Sequence, residues 1–179
     1  ITITGKGNYK NDTVTRTYTI TPATPTIAWS SGTQALTYTG QQANVKPTVT
    51  LVGNDSFDGT IIYSYGAYTG PDLPVNAGTY TIKASIAAEG NYASANSTNE
   101  LTLTINKAQA AVTVNPTANT LTYDGIAQAL VAAGTASVGE VVYSLTETGT
   151  YSTTIPTGTN AGSYTVWYRI ADTDNYNGT

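Results

Sequence analysis

The tripeptides Gly7-Asn8-Tyr9, Gly90-Asn91-Tyr92 and Asp174-Asn175-Tyr176 recur 83 and 84 residues apart. A fixed period of that length makes the chain a tandem array, which constrains the architecture before any single residue is weighed. The register reaches well beyond the tripeptide. Leu36-Thr37-Tyr38-Thr39-Gly40 maps onto Leu121-Thr122-Tyr123-Asp124-Gly125 at an offset of 85, and Asn76-Ala77-Gly78-Thr79-Tyr80-Thr81-Ile82 maps onto Asn160-Ala161-Gly162-Ser163-Tyr164-Thr165-Val166 at 84. The predicted division is residues 1–20 as the last two strands of one repeat, 21–105 as a complete repeat, and 106–179 as a repeat short of its last strand. The array is thus expected to start and end inside repeats.

Within each repeat the pattern is that of strands. Thr makes up about a fifth of the chain, far above ordinary usage, and alternates with Tyr, Ile, Val and Leu as pleated strands prefer. Period-2 alternation bounded by Gly, Pro and Asn predicts strands at 13–20, 26–29, 35–38, 46–52, 60–65, 78–86 and 98–106, with a matching set after 106. Some six short strands per repeat indicate an immunoglobulin-like Greek-key β-sandwich. The expected fold class is therefore all-β, with tandem sandwiches in an elongated array. Cys is 0, so each repeat must hold together by burial alone.

The sharpest local signal is Asn-Ala-Gly-x-Tyr-x-(Ile/Val). In Greek-key sandwiches a Tyr near the start of the penultimate strand turns its ring inward and sends its hydroxyl back to nearby backbone, a tyrosine corner. Tyr80 and Tyr164 fit that role, with Gly78 and Gly162 forming the turn before them. Ile82 and Val166 occupy the place where antibody domains carry a disulfide Cys. Alternation puts Tyr80, Ile82, Ala84 and Ile86 inward in one copy, and Tyr164, Val166, Tyr168 and Ile170 inward in the next. Tyr9, Tyr92 and Tyr176 recur at the corner between the last two strands, as a structural plug in every copy.

These motifs carry a resemblance. Leu121-Thr122-Tyr123-Asp124-Gly125-Ile126-Ala127-Gln128-Ala129-Leu130, Tyr143-Ser144-Leu145, the stretch 151–164 and Asp174-Asn175-Tyr176 resemble the YDG-type MBG repeats, bacterial immunoglobulin-like modules of large surface proteins. Residues 21–105 are similar to a sister variant in which Tyr38-Thr39-Gly40 replaces the Tyr-Asp-Gly turn. The resemblance implies an extracellular or cell-surface stalk or adhesin segment. It implies no catalytic residue, metal ligand or cofactor.

The residues themselves argue the same way. His is 0 and Cys is 0, which removes Ser-His-Asp and Cys-His catalysis, and the acids Glu89, Glu100, Glu140 and Glu147 form no recurring carboxylate pair. The net charge of −4 offers no basic face for nucleic acid, and no apolar run is long enough to insert in a membrane. A Lys to Asn/Asp cross-link would need a buried Lys beside an acid. Lys83 points outward by parity; Lys46 aligns near Val131 and is the candidate for an inward place, with amphipathic packing of its stem the favoured alternative. The acidic loops Asp172-Thr173-Asp174-Asn175 and Asp55-Ser56-Phe57-Asp58-Gly59 suggest calcium only weakly, because neither recurs and Asp and Asn commonly cap turns. Trp29 is assigned to the core. Trp167, outward and beside Arg169, is the one candidate for stacking on a ligand.

Three roles follow as expectations. The first is a spacer that positions a distal region, whose partners would be host or bacterial surface glycans or proteins met through other regions. The second is an adhesin whose repeats bind glycan or protein themselves. The third is a filament subunit that assembles homotypically by strand exchange, because residues 13–20 read as a free last strand and the repeat 106–179 lacks one.

Overall fold

A computed structural model describes residues 1–9 and 13–179, the Tyr9 side chain apart. The protein is essentially all-β: many short strands in one six-stranded and several two-stranded sheets, with, among the described residues, a single 3-10 turn at Gly7–Tyr9. This is the make-up of the β-sandwich class. The described residues fall into two compact units that interleave along the chain. One comprises Ile1–Ser30, Lys46–Pro71 and Lys83–Glu100; the other comprises Ser31–Val45, Asp72–Ile82 and Leu101–Thr179.

In the first unit, Thr2–Thr4 and Thr13–Thr15 form an antiparallel hairpin. Thr26–Ala28 pairs with Thr48–Thr50, while Ile62–Tyr65 pairs with Tyr68–Gly70 on one side and with Lys83, Ala84 and Ser85 on the other. Ala95–Asn96 closes against Ser85 and Ile86. Ile27, Trp29, Tyr63, Ala84, Ile86 and Ala95 are buried in its core. The Trp29 and Tyr63 rings lie 6.1 Å apart, and burial pushes the Tyr63 phenol above its ordinary pKa. The core assignment of Trp29 thus matches its 6% exposure.

In the second unit, Leu101–Asn106 is the central element. It runs antiparallel to residues 78–82 and parallel to Thr33–Thr37. Its alternating inward residues Leu101, Leu103 and Ile105 are 1%, 0% and 4% exposed, because a strand flanked on both sides has no free edge and one face fully covered. Further along, Val112–Val114 pairs with Thr135–Ala136, Thr117–Ala118 with Val131–Ala132, Gln128–Ala129 with Thr157–Gly158, and Val141–Ser144 with Trp167–Ile170. Leu130, Val131, Val141 and Tyr143 form a core there, with Ala136, Ile155 and Val166 packed against it.

The strand Gly78–Ile86 has the bounds the alternation predicts, and Ile82, Ala84 and Ile86 are buried with Tyr80 partly covered. Most other strands are shorter than predicted, although the one expected at 35–38 runs over Thr33–Thr37. The stretch 13–20 is strand only over Thr13–Thr15, leaving Tyr18 70% and Ile20 96% exposed. In the last repeat the inward set is corrected. Ile170 is buried and Val166 partly so, but Tyr164 and Tyr168 are 44% and 40% exposed. The cause is local. Residues 163–166 are not in a strand, and among the described residues nothing lies beside them as Leu101–Asn106 lies beside residues 78–82.

Candidate functional site

The two Asn-Ala-Gly-x-Tyr motifs fold alike. The Tyr80 hydroxyl donates to the Asn76 carbonyl at 2.9 Å, and the Tyr164 hydroxyl donates to the Asn160 carbonyl at 2.8 Å. Each Tyr therefore ties the strand to the turn four residues before it. The glycines differ. Gly78 has φ +156, and a side chain there would meet the Tyr80 ring at 3.2 Å. At Gly162 nothing approaches within 4 Å, and the glycine under the Tyr164 ring is Gly158, where an added carbon would lie 2.8 Å from that ring. The close approach to the ring is thus made by Gly158 in this copy, whereas Gly78 makes it in the other.

The Tyr-x-Gly turns are also shared. Gly40 and Gly125 have φ of +75 and +81, the left-handed region that a Cβ disfavours. In the second, the Ile126 amide donates to Asp124 Oδ1 at 3.0 Å, an Asx turn. That bond and the side chain of Gln128 hold the Asp124 carboxyl below its ordinary pKa.

The Asn-Tyr corners have a function that sequence reading missed. Those at Asn91 and Asn175 are each zipped to a segment that lies 67 or 68 residues before them. The Ala23 amide donates to the Asn91 carbonyl at 2.9 Å, and the Ala93 amide donates to the Ala23 carbonyl at 2.8 Å. One repeat on, the Ala108 amide donates to the Asn175 carbonyl at 3.0 Å and the Ala110 amide to the Asn177 carbonyl at 2.9 Å, so that Ala108–Gln109 runs parallel to Tyr176–Asn177. The linker is therefore pinned to the body that it enters. The Tyr92 side chain adds a contact special to its copy: its hydroxyl donates to the Asp55 carboxylate, with the Val52 carbonyl at 3.3 Å. The charged acceptor, then burial, raises the Tyr92 pKa above its ordinary value. The Tyr9 side chain lies outside the described residues.

The second corner also reaches back to the preceding repeat. Asn175 Oδ1 accepts the Ala77 amide at 2.8 Å, and Asn175 Nδ2 donates to Asn76 Oδ1 at 3.2 Å. The Tyr176 ring meets the Tyr38 ring edge-on at 5.3 Å, and Lys107 Nζ donates to the Thr173 carbonyl at 2.6 Å. The Tyr-x-Gly turn at Tyr38, the Asn-Ala-Gly turn at Asn76 and the Asn-Tyr corner at Asn175 thus meet within one compact unit. Each bond contributes about 1 kcal/mol and the ring pair about 0.5–1.5 kcal/mol.

The remaining candidates take bland places. Lys83 is exposed and paired with Glu100 at 3.0 Å. Lys46 is exposed too, correcting its inward assignment: Val45 and Pro47 on either side are buried, so the parity is offset by one residue. In the acidic loops Asp55 accepts from Tyr92 across the unit, while Asp172 Oδ1 accepts the Gly178 amide at 2.7 Å and Thr173 Oγ1 accepts the Tyr176 amide at 3.1 Å, both local turn-closing bonds. Trp167 is 39% exposed on the edge strand opposite Ser144. Its neighbour Arg169 stacks instead on the Tyr151 ring, 4.4 Å from the centroid.

No family model, curated protein or solved structure matches the chain.

Proposed function

We propose that this chain is a spacer segment of a bacterial cell-surface or secreted repeat protein of the MBG/YDG kind. In this reading serial immunoglobulin-like Greek-key sandwiches position a distal binding region, and the segment itself is neither an enzyme nor a binder of metal or cofactor. One observation carries the reading: the residues that recur with the repeat, Tyr38, Asn76, Asn175 and Tyr176, are used to fasten one repeat to the next. A binding module would spend its recurring side chains on a ligand; here they meet each other. A linker pinned by Ala108 to its own corner leaves little slack, as a load-spanning stalk requires.

Small-angle scattering tests the proposal. An elongated profile is expected, and a compact globular one overturns it.

A further inference from the structure

The outer face of the sheet made by Val141–Ser144 and Trp167–Ile170 differs from its counterpart in the complete repeat. The register fixes the correspondence: Tyr143 pairs with Tyr168 as Tyr63 pairs with Ala84. Trp167 therefore stands where Lys83 does, and Arg169 where Ser85 does. The next segment of the sheet joins at Ser152, which bridges to Tyr143 as Gly70 pairs with Tyr63, so Tyr151 takes the place of Thr69. A lysine, a serine and a threonine are thus replaced by a tryptophan, an arginine and a tyrosine. The framework does not require the replacements, because the complete repeat forms the same pairings without them.

The three side chains are held in a defined arrangement. The Tyr151 hydroxyl donates to the Glu147 carbonyl at 3.0 Å, which fixes the ring. The Arg169 guanidinium lies over that ring, its Cζ 4.4 Å from the centroid. Stacking holds the planar group in place and leaves its N–H edge to solvent. Among the described residues no carboxylate pairs with Arg169, and the ion pair there is Lys83 with Glu100. Trp167 lies two residues before Arg169 on the same strand, so its indole shares that face about 7 Å away, and it is 39% exposed. This openness belongs to the face and not to a strand edge. In the complete repeat the strand Gly78–Ile86 is flanked on both sides, and the Lys83 side chain is still 65% exposed.

The chemistry of the face selects its ligand. An open sheet face encloses no small apolar molecule, which calls for a concave pocket. The indole offers a flat apolar surface with a negative quadrupole, suited to C–H bonds laid against it. The one cation is unpaired and fork-shaped, the geometry that grips a carboxylate by two parallel hydrogen bonds. The chain around it carries a net charge of −4, which repels a ligand charged at every unit, such as nucleic acid. A short glycan with one acidic sugar meets all of these terms. The C–H face of a pyranose lies flat on the indole, the carboxylate of its neighbour takes the guanidinium, and the hydroxyls stay in water.

We propose that the face formed by Tyr151, Trp167 and Arg169 binds an acidic oligosaccharide, with a neutral sugar ring stacked on Trp167 and the carboxylate of the adjoining sugar held by Arg169. Tyr151 is a positioning residue: it presents the guanidinium and touches no ligand. The site is a property of residues 106–179 and not of 21–105, where Lys83 is paired with Glu100 and the Ser85 hydroxyl donates to the Ile62 carbonyl at 3.5 Å. The inference goes beyond the spacer reading. Side chains that recur fasten the array, and these, which differ between the copies, are left to meet a ligand.

The indole N–H resonances of the full chain, followed by NMR during glycan titration, test this, because Trp29 is 6% exposed and Trp167 39%. Two probes separate the sources of the carboxylate: sialyllactose carries it on a terminal sialic acid, and a glucuronyl-galactose disaccharide carries it on a hexuronic acid. At least one probe should shift the Trp167 signal and leave that of Trp29 in place, with a Kd of roughly millimolar or below. The methyl ester of that probe, which lacks the charge, should bind about tenfold more weakly. Arg169→Ser, which installs the residue of the complete repeat, should abolish the difference between acid and ester. Trp167→Ala should weaken both about threefold to tenfold, and Tyr151→Leu should shrink the acid-to-ester ratio while the Trp167 signal still responds. The acid-to-ester comparison uses the wild-type chain, so it stands whether or not a variant folds. No shift of Trp167 with either acid up to roughly 10 mM, equal binding of acid and ester, or an acid preference that survives Arg169→Ser overturns the proposal. Such a failure leaves the spacer reading untouched, because that reading rests on the joint within the chain and is tested by scattering.

Discussion

Leu103 and Tyr18 occupy the same place in the repeat, and truncating them should have opposite consequences. Leu103 is 0% exposed, held between residues 78–82 and Thr33–Thr37. Leu103→Ala removes the transfer free energy of the deleted carbons and leaves a cavity between two strands that are fixed by their own ladders. Core truncations of this kind cost about 2.7–5 kcal/mol, and the rigid flanks place this one in the upper half of that range. A domain of this size has about 4–13 kcal/mol to lose, so the variant should lie close to its unfolding threshold. Tyr18 is 70% exposed, so Tyr18→Ala in the single chain should cost about 0.5 kcal/mol or less. Urea unfolding of each variant, followed by tyrosine and tryptophan fluorescence at low protein concentration, measures the difference as a change in midpoint at constant slope. Trp29 lies in the first unit and Trp167 in the second, so unfolding followed in Trp29→Phe and Trp167→Phe backgrounds would also show whether the units unfold together. A Leu103→Ala cost below about 1 kcal/mol, or a Tyr18→Ala cost equal to it, would refute the argument that strand flanking decides the value of this position.

Two further outcomes are expected. Asn175→Ala leaves the Ala77 amide without its acceptor and should cost about 1–2 kcal/mol; amide exchange at Ala77 should quicken while exchange at Ile82 stays unchanged, and unchanged exchange at Ala77 would show that the joint does not order that turn. Tyr92, raised above its ordinary value by Asp55, should ionise later than the exposed tyrosines in an alkaline titration followed at the tyrosinate absorbance. A folded-state pKa raised above the unfolded one means that the contribution is full below the unfolded value and is lost as pH rises through the folded one. Asp55→Asn removes the charged acceptor and should return that late step to the common transition, and an unchanged titration contradicts the assignment.

Much of the complete repeat was legible in the sequence. The strand Gly78–Ile86 could be bounded to the residue because Ile82, Ala84 and Ile86 alternate with Thr81, Lys83 and Ser85 without interruption, and a period of two leaves only one register with one face apolar. The tie from each corner tyrosine to its Asn was equally accessible, since it joins residues four apart. The linker zip was not. Ala23 and Ala108 are featureless as residues, and their pairing with Asn91 and Asn175 runs through backbone groups that every residue possesses. A faint signal was nevertheless present: Ala23 and Ala108 stand 68 and 67 residues before Asn91 and Asn175.

The repeat 106–179 marks the limit of alternation as a guide. Tyr164 and Tyr168 keep the parity of Tyr80 and Ala84, yet they stand half in solvent. Parity says which face of a strand a side chain shares, and burial depends on whether another segment covers that face. Lys46 failed for a related reason, because one residue of offset in an irregular segment reverses every side chain after it.

The sequence by itself determined the tandem period, the all-β character and the turn chemistry at Gly40, Gly125 and the Asn-Ala-Gly motifs, because these follow from interactions between residues close in the chain or from repetition that is visible without a fold. Only the tertiary structure decided that Asn175 and Tyr176 bind Asn76, Ala77 and Tyr38, and that Tyr18 and Ile20 lie bare while Leu103 and Ile105 are buried. Those outcomes depend on which segments become neighbours across nearly a hundred residues, and the same side chain at the same repeat position is core or surface according to the neighbour it receives.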